Sequence, residues 1–249
     1  MTISSEDDLN KLQDIGKIVA NTLEAMAATL EPGMTTAELD MIGRQFLEKA
    51  GARPGPELTY DFPGATCISV NEQIAHGIPG SRRIEAGDLI NIDISAEKNG
   101  VYADTGASFA VPPTTNAMKR LCRDGRRAMW VGLRQVGADK PIAGIGQAIG
   151  KFAHKNGYTL VRNLASHGIG YSLHEEPGEI PTWPDRSERR IMNEGIVFTV
   201  EPFLSLGANW ATDGDDEWTL LSDPRAPTVQ YEHTVVATRN GPLVVTLPG

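Results

Sequence analysis

Two aspartates near the middle of the chain are spaced for metal chemistry. The segment from Leu89 to Ser95 alternates apolar and polar residues, which predicts a strand with Asp93 on its polar face. Asn99-Gly100 is a strong signal for a two-residue hairpin loop, so a returning strand is expected directly after it. In that register Asp93 lies opposite Gly106, and Asp104 lies on the same face, one diagonal step away. Two carboxylates that point at one place repel each other unless a cation lies between them. The hairpin therefore predicts half of a metal site, unless both aspartates are solvated residues of a strand end and a turn.

Three further residues have side chains and sequence contexts that suit the same chemistry. His167 follows an apolar strand, Glu201 ends another, and Glu232 lies within a third. An unpaired glutamate is costly to bury, so one of them alone could instead protect a sheet edge. With the two aspartates they make a set rich in oxygen ligands with one nitrogen. That set suits two divalent ions of the Mn, Fe, Co or Zn type better than one structural zinc. Two-metal sites activate water and hold both ends of a bond undergoing hydrolysis.

The elements that must position these residues occur in an order that repeats. Each half of the chain has a long helix, a breaker, a shorter helix, a glycine and then strands, and a shift of about 106 residues places Gly51 on Gly157. We predict an α+β domain spanning 1–249, with two pseudo-symmetric halves of about 1–113 and 114–249 and the site at the seam between them. The predicted helices run from Ser4 or Ser5 to Leu30, from Thr35 to Gly51, from Asn116 to Val136 and from Ile142 to Lys155. Besides the hairpin, strands are predicted at Ala65 to Val70, Thr159 to Asn163, Ile196 to Val200, Gln230 to Thr238 and Leu243 to Thr246.

The composition excludes several classes of protein. A net charge of −9 and a pI near 5.1 argue against nucleic acid as the main partner. The polar, acidic start of the chain predicts no signal peptide, and no apolar run approaches the length of a membrane span. Cys67 and Cys122 lack metal-type spacing and are expected to be reduced thiols. We therefore expect a cytoplasmic enzyme.

Five sequence blocks resemble those of the type I methionine aminopeptidases. They are ISVNEQIAHGIPG, NIDISAEKNGVYADTG, SHGIGYSLHEEP, FTVEP and QYEHTVV, and they occur in the order and spacing of that family. The resemblance extends from the first helix to Leu247 and is strongest to the bare bacterial form. It implies the duplicated pita-bread α+β fold, with a central antiparallel sheet, helices outside and pseudo-twofold symmetry.

The resemblance also implies roles for the candidate residues. The five acidic and imidazole positions would bind two divalent ions, with Asp104 and Glu232 shared by both, while His76 and His174 would line the site without binding metal. We expect Glu201 to carry a proton from water to the leaving amine. His76 and His174 are expected to hydrogen-bond the peptide and the developing oxyanion. The implied reaction removes an N-terminal methionine from peptides and nascent chains.

The side chain of that methionine is expected to occupy an apolar pocket, where its thioether can contact aromatic rings. The predicted walls are Phe62, Cys67, Phe198 and Trp218. Three departures from the family concern this pocket rather than the metal site. Leu173 stands where the family often has an aromatic residue, Thr59-Tyr60 replaces a frequent Tyr-His pair, and the run 213–217 is unusually acidic.

Two other functions fit the same sequence. One is an X-Pro-type aminopeptidase of the same fold, although the resemblance implies that such enzymes usually carry a large additional N-terminal domain. The other is a non-enzymatic homologue that binds peptides or the ribosome, against which the occupation of all five ligand positions argues. For the enzyme we expect a monomer that contacts the ribosome transiently, with no nucleic-acid specificity and no membrane association.

Overall fold

The computed structural model describes residues 1–249 and contains five helices and fifteen strands. The helices are α1 (Glu6–Thr29), α2 (Thr36–Lys49), α3 (Gly55–Tyr60), α4 (Asn116–Leu133) and α5 (Ala143–Asn156). The strands before α4 are β1 (Arg53–Pro54), β2 (Cys67–Val70), β3 (Gln73–Ala75), β4 (Leu89–Lys98) and β5 (Val101–Ala110). After α5 come β6 (Thr159–Leu160), β7 (Ser166–Gly168), β8 (Glu175–Ile180), β9 (Val197–Val200) and β10 (Phe203–Ser205). The last five are β11 (Trp210–Asp213), β12 (Leu220–Asp223), β13 (Thr228–Gln230), β14 (His233–Thr238) and β15 (Gly241–Val244).

Local sequence signals account for most helix ends. Ser5 caps α1 and Thr35 caps α2, and each forms a capping box with the acidic residue three positions on. Gly51 and Gly157 follow α2 and α5 with φ of 72° and 76°, a left-handed conformation that glycine adopts without steric cost. The helix α4 ends at Leu133, three residues before the predicted Val136.

The hairpin of β4 and β5 has the predicted register. Asn99 and Gly100 both have positive φ, as a type I′ turn requires, and Lys98 pairs with Val101. The apolar face of β4 is buried against α1, in a core cluster that also contains residues of α2 and is built mainly from the first half of the chain. The opposite, polar face is therefore free to form a site.

A five-stranded antiparallel sheet in the second half has the order β15-β14-β9-β7-β8. Its apolar face packs with α4 and α5 in a second core cluster, built almost entirely from the second half. Two three-stranded sheets, β13-β10-β6 and β11-β12-β3, complete the fold, and β3 joins the two halves by pairing with β12.

The prediction of one continuous strand from Gln230 to Thr238 is wrong, because the structure has two strands there, β13 and β14. The chain pairs with β10 as far as Gln230, leaves the ladder at Tyr231 and Glu232, and pairs with β9 from His233. The interruption occurs because the backbone N–H of Glu232 donates to the Gly106 carbonyl at 2.9 Å, on the hairpin of the other half. This break brings a glutamate from the second half to the aspartates of the first.

Candidate metal centre

The first part of the site is the polar face of the hairpin. Asp93 pairs with Gly106 and Ser95 pairs with Asp104, so the two aspartates are diagonal neighbours as predicted. A Cβ on Gly106 would meet the amide end of the Gln230 side chain, so a larger residue there would displace Gln230. Asp93 is half-buried and Asp104 is buried.

The second part is the segment around Glu232. The backbone N–H of Asp104 donates to the Thr234 hydroxyl at 2.9 Å, and that hydroxyl donates to the Asp104 carbonyl at 2.8 Å. The Thr105 hydroxyl donates to the Glu232 carbonyl at 2.9 Å. These bonds lock the two halves together at the site. Gln230 Nε2 donates to one carboxylate oxygen of Glu232 at 2.9 Å, which orients the carboxylate.

The third part comes from neighbouring strands of the second sheet. His167 lies on β7, and Glu201 follows β9 directly, with His167 Nε2 3.5 Å from Glu201 Oε1. The Thr199 hydroxyl donates to Glu201 Oε1 at 2.6 Å and accepts the backbone N–H of His167 at 3.1 Å. His167 Nδ1 lies 3.0 Å from the Gly168 carbonyl, so we assign the proton to Nδ1 and the lone pair to Nε2. The nitrogen beside Glu201 is then the one that can bind a metal.

The five candidate side chains meet in one buried cluster. Ligand atoms of Asp104, His167 and Glu232 all lie within 4.8 Å of one another. Burial raises the pKa of Asp93 to about 6 and that of Glu201 to about 8. Burial also raises the pKa values of Asp104 and Glu232 well above their ordinary values. The neighbouring carboxylates raise them further, because they repel a second negative charge. Burial lowers the pKa of His167 to about 3, so the imidazole is neutral, as a metal ligand must be.

The cluster fits divalent cations on two observations. Asp104 Oδ1 and Glu232 Oε1 are buried without any hydrogen-bond partner. No lysine or arginine lines the cavity into which the cluster opens, so no side chain there balances four carboxylates. Buried groups of this kind are stable when a cation supplies the missing charge and the missing contacts. Carboxylate oxygens with one imidazole nitrogen are ligands for divalent transition metals.

The cavity in front of the cluster has a volume of about 390 Å³, within the range of small-ligand sites. His174 lies at its wall with its ring centroid 4.0 Å from that of His167. The Tyr60 hydroxyl lies 2.6 Å from His174 Nδ1. A phenol O–H is a better donor than an imidazole N–H, so we assign the hydroxyl as donor, which leaves the proton of His174 on Nε2. His76 lies at the rim with a φ of 54°, and the protein packed around its ring lowers its pKa even though the residue reaches solvent.

Three of the four predicted pocket walls line this cavity. The rings of Phe62 and Trp218 meet edge to face with centroids 5.3 Å apart, and Cys67 is the strand partner of Asp93. Burial raises the pKa of the Cys67 thiol well above its ordinary value, so the sulfur presents a neutral, apolar surface. Leu173, at the position of the family departure, is buried and also lines the cavity.

The placement of Phe198 in the pocket wall is corrected by the structure. Phe198 is fully buried in the core cluster of the second half and does not line the cavity. The reason is the alternation of β9, on which Thr199 points to the same side as Glu201. Phe198 and Val200 point to the opposite side and pack in the core. The aromatic wall is instead extended by Phe203, after the strand has passed Pro202.

Residues 10–239 match the model of the family described as metallopeptidase family M24. The chain belongs to metallopeptidase family M24. Members use divalent metal, and Asp104, His167 and Glu232 form a group that could hold such an ion. As a member with full-length aminopeptidase relatives, the chain is a metallo-aminopeptidase with the pita-bread fold.

Individual relatives match this M24 chain over nearly its whole length. Methionine aminopeptidase 2 of Bacillus subtilis is 42% identical over 247 residues, which cover 99% of each chain. A methionine aminopeptidase of Staphylococcus epidermidis is 41% identical over 99% of this chain and 98% of its own. The crystal structure of methionine aminopeptidase from Rickettsia prowazekii superimposes with a TM-score of 0.94 at 32% identity, covering 99% of this chain and 100% of that one. None of the helices here is both long and apolar enough to cross a membrane.

Three residues support the site through contacts that were not predicted from the sequence. Thr199 orients Glu201, Gln230 orients Glu232, and Tyr60 contacts His174. The period-2 alternation of a strand could have found the first two, since each lies two residues before the glutamate it contacts. Tyr60 has no such signal, because it reaches His174 only through the tertiary fold.

Proposed function

We propose that this metallo-aminopeptidase removes methionine from the N-terminus of peptides and nascent proteins. The observation that carries the proposal is the buried cluster of four carboxylates and one imidazole at the end of a small, aromatic-walled cavity. Relatives that match the full chain are named methionine aminopeptidases, which favours this function over an X-Pro-specific enzyme and over a non-enzymatic binding protein.

The residues that would hold metal are Asp93, Asp104, His167, Glu201 and Glu232. We propose two ions of the Co, Mn, Fe or Zn type, with Asp104 and Glu232 shared, because each of these two carboxylates has one buried oxygen without a partner. When bound, such ions would polarise the peptide carbonyl and lower the pKa of water.

Glu201 would move the proton between water and the leaving amine. Its Oε1 is held by the Thr199 hydroxyl, and Oε2 remains available for a proton. His174 would donate from Nε2 to the oxygen of the scissile carbonyl, since its Nδ1 accepts from Tyr60. His76, at the rim, would hydrogen-bond the peptide that continues out of the cavity.

The side chain of the first residue would lie between Phe62, Trp218, Cys67 and Leu173. The edge-to-face aromatic pair and the neutral thiol give an apolar, polarizable wall that favours a flexible thioether. The acidic run from Asp213 to Glu217 does not enter this wall. It is an exposed turn, in which Asp216 Oδ1 accepts a hydrogen bond from the backbone N–H of Trp218 at 2.8 Å. This bond fixes the backbone of Trp218.

We further propose that the chain is one catalytic domain of two halves, about 1–113 and 114–249, and that it acts as a cytoplasmic monomer. Two core clusters, each built mainly from one half, support the division. Cys67 and Cys122 are both free thiols, which suits a reducing compartment. A transient ribosome contact would supply nascent chains to the cavity.

The test is release of the first residue from matched peptides by metal-reconstituted protein. Met-Ala-Ser should be cleaved, whereas Ala-Pro-Ser and N-acetyl-Met-Ala-Ser should not, because the former lacks the thioether and the latter lacks the free amino group. Preferential cleavage of Ala-Pro-Ser would assign the chain to X-Pro peptidases instead. Binding of Met-Ala-Ser without release of methionine by any of the four reconstituted metals would leave only the binding function.

A further inference from the structure

A second concave surface lies between α1 and α4, and it shares no lining residue with the cavity in front of the metal centre. Its volume of about 1290 Å³ exceeds the roughly 300–1,000 Å³ of sites for small molecules. One wall is α4, the opposite wall is α1, and the floor is formed by β5 and the segment 231–233. We call it the arginine groove, because Arg123, Arg126, Arg127 and Arg134 lie along its α4 wall.

The α4 wall carries a net positive charge, because it has several arginines and only one carboxylate, that of Asp124, to pair with them. Arg120, Arg123 and Arg127 all contact the single carboxylate of Asp124, whose side chain is 3% exposed. Arg126 is exposed and makes no ion pair. Arg134, also exposed, has no acidic partner either. On a chain of net charge −9, this wall is a local reversal of sign that would attract an anionic partner.

The other surfaces of the arginine groove are not basic. The α1 wall presents Ala20, Leu23, Ala27 and Ala28 with one exposed acidic residue, Glu24. Half-buried aromatic rings from β5 and α4 lie at the floor. A nucleic-acid strand carries a phosphate at every nucleotide and polar base edges, so it would set phosphates near Glu24 and leave base edges unpaired against alanine and leucine. The difference in charge between the α4 wall and the α1 wall instead suits a partner with an acidic edge toward α4, an apolar face toward the floor, and an edge without acidic residues toward Glu24.

We propose that the arginine groove binds an acidic amphipathic helix of another protein. Arg123 on α4 and Arg134, which follows the last residue of α4, are eleven positions apart; at about 1.5 Å per residue this is roughly 16 Å, or three helical turns. Carboxylates on one edge of a docked helix, spaced one turn apart, would match guanidinium groups along that length. The apolar face of the helix would cover the α1 alanines and the aromatic floor, in the helix-in-groove mode of recognition.

The two parts of the arginine groove would contribute differently. Rim guanidinium–carboxylate pairs add little affinity each, but they set orientation and raise the association rate, so binding should weaken as salt is added. Most of the affinity would come from apolar contact with α1 and the floor. A partner that is acidic but not amphipathic should therefore bind poorly, and so should one that is amphipathic but basic.

The test uses three fluorescein-labelled synthetic helices with leucine on one face, glutamate along one edge and lysine along the other. Each is paired with a scrambled peptide of the same composition, and binding is followed by fluorescence anisotropy on the full chain. We expect each patterned helix to bind at least tenfold more tightly than its scrambled version. The double variant Arg126→Glu/Arg134→Glu should weaken binding at least tenfold. The control Arg186→Glu/Arg189→Glu, which makes the same charge change at exposed arginines elsewhere, should alter it less than twofold.

A second variant tests the apolar wall separately. Ala27→Glu places an acid on α1 without touching α4, and it should also weaken the patterned helices at least tenfold, while methionine release stays unchanged in every variant. Equal binding of patterned and scrambled peptides, or an equal effect of the control, would overturn the proposal. So would tighter binding of a 20-nucleotide oligouridine that the Arg126→Glu/Arg134→Glu change abolishes, since that result would make the arginine groove a nucleic-acid site.

Discussion

The raised pKa of Asp93 should make the stability of the protein depend on pH once a chelator has removed any metal. Burial raises the pKa of its carboxyl from 3.8 to about 6. Between these values the folded chain binds more protons than the unfolded chain, so the free energy of unfolding falls as the pH rises. A pKa shift of one unit corresponds to about 1.4 kcal/mol. Ionised Asp93 therefore destabilises the metal-free fold by about 3 kcal/mol once the pH exceeds its pKa in the folded state.

The perturbation that isolates this cost is Asp93→Asn, which keeps the shape of the side chain and removes its charge. Near pH 4 the metal-free variant and wild type should be about equally stable, and near pH 7.5 the variant should be more stable by about 3 kcal/mol. Urea unfolding of both proteins at both pH values measures the four free energies. Added Mn²⁺ should then stabilise wild type at pH 7.5 more than it stabilises the variant. A stability difference between the two proteins that is the same at both pH values would refute the reasoning.

Three further substitutions test separate parts of the site. Tyr60→Phe should lower kcat about 5- to 10-fold with KM and metal content unchanged. The reason is that one hydrogen bond, worth about 1–1.5 kcal/mol, no longer orients His174. A wild-type kcat would show that the hydroxyl has no such role. Asp104→Asn should lose at least one metal equivalent in elemental analysis and nearly all activity, and retention of two ions would remove the claim that Asp104 is shared. Leu173→Phe should narrow the pocket and raise the kcat/KM ratio of methionine over leucine and norleucine peptides, within the roughly 1–3 kcal/mol that an apolar pocket discriminates per methylene. Identical ratios in the two proteins would show that Leu173 does not form the wall.

The part of the site on the hairpin could be predicted from sequence because every step was local. An Asn-Gly loop sets the register of β4 and β5, and strand alternation then places Asp93 and Asp104 on one face. The capping residues Ser5 and Thr35 are local in the same sense. His167, Glu201 and Glu232 stood out by their strand contexts, but no local signal could show that they meet the aspartates, because they do so only through pairing between the halves.

The differences between prediction and structure have both tertiary and local origins. The break at Glu232 follows from a backbone hydrogen bond to Gly106, far away in sequence. Phe198 was assigned to the pocket although alternation from Glu201 places it in the core. The helix α3 begins at Gly55 and Pro56, residues that suggest a loop, yet proline is tolerated in the first turn of a helix. Short strands such as β10 and β12 exist only because a neighbouring strand pairs with them.

The central claim is that five side chains from both halves form one centre for two divalent ions. Anomalous diffraction from crystals soaked in Mn²⁺ locates such ions without reference to activity. We predict two peaks, each in contact with Asp104 and Glu232. Asp93 should bind one of the two ions, and His167 and Glu201 should bind the other. A single peak, or peaks that lack either Asp104 or Glu232 as a ligand, would contradict it.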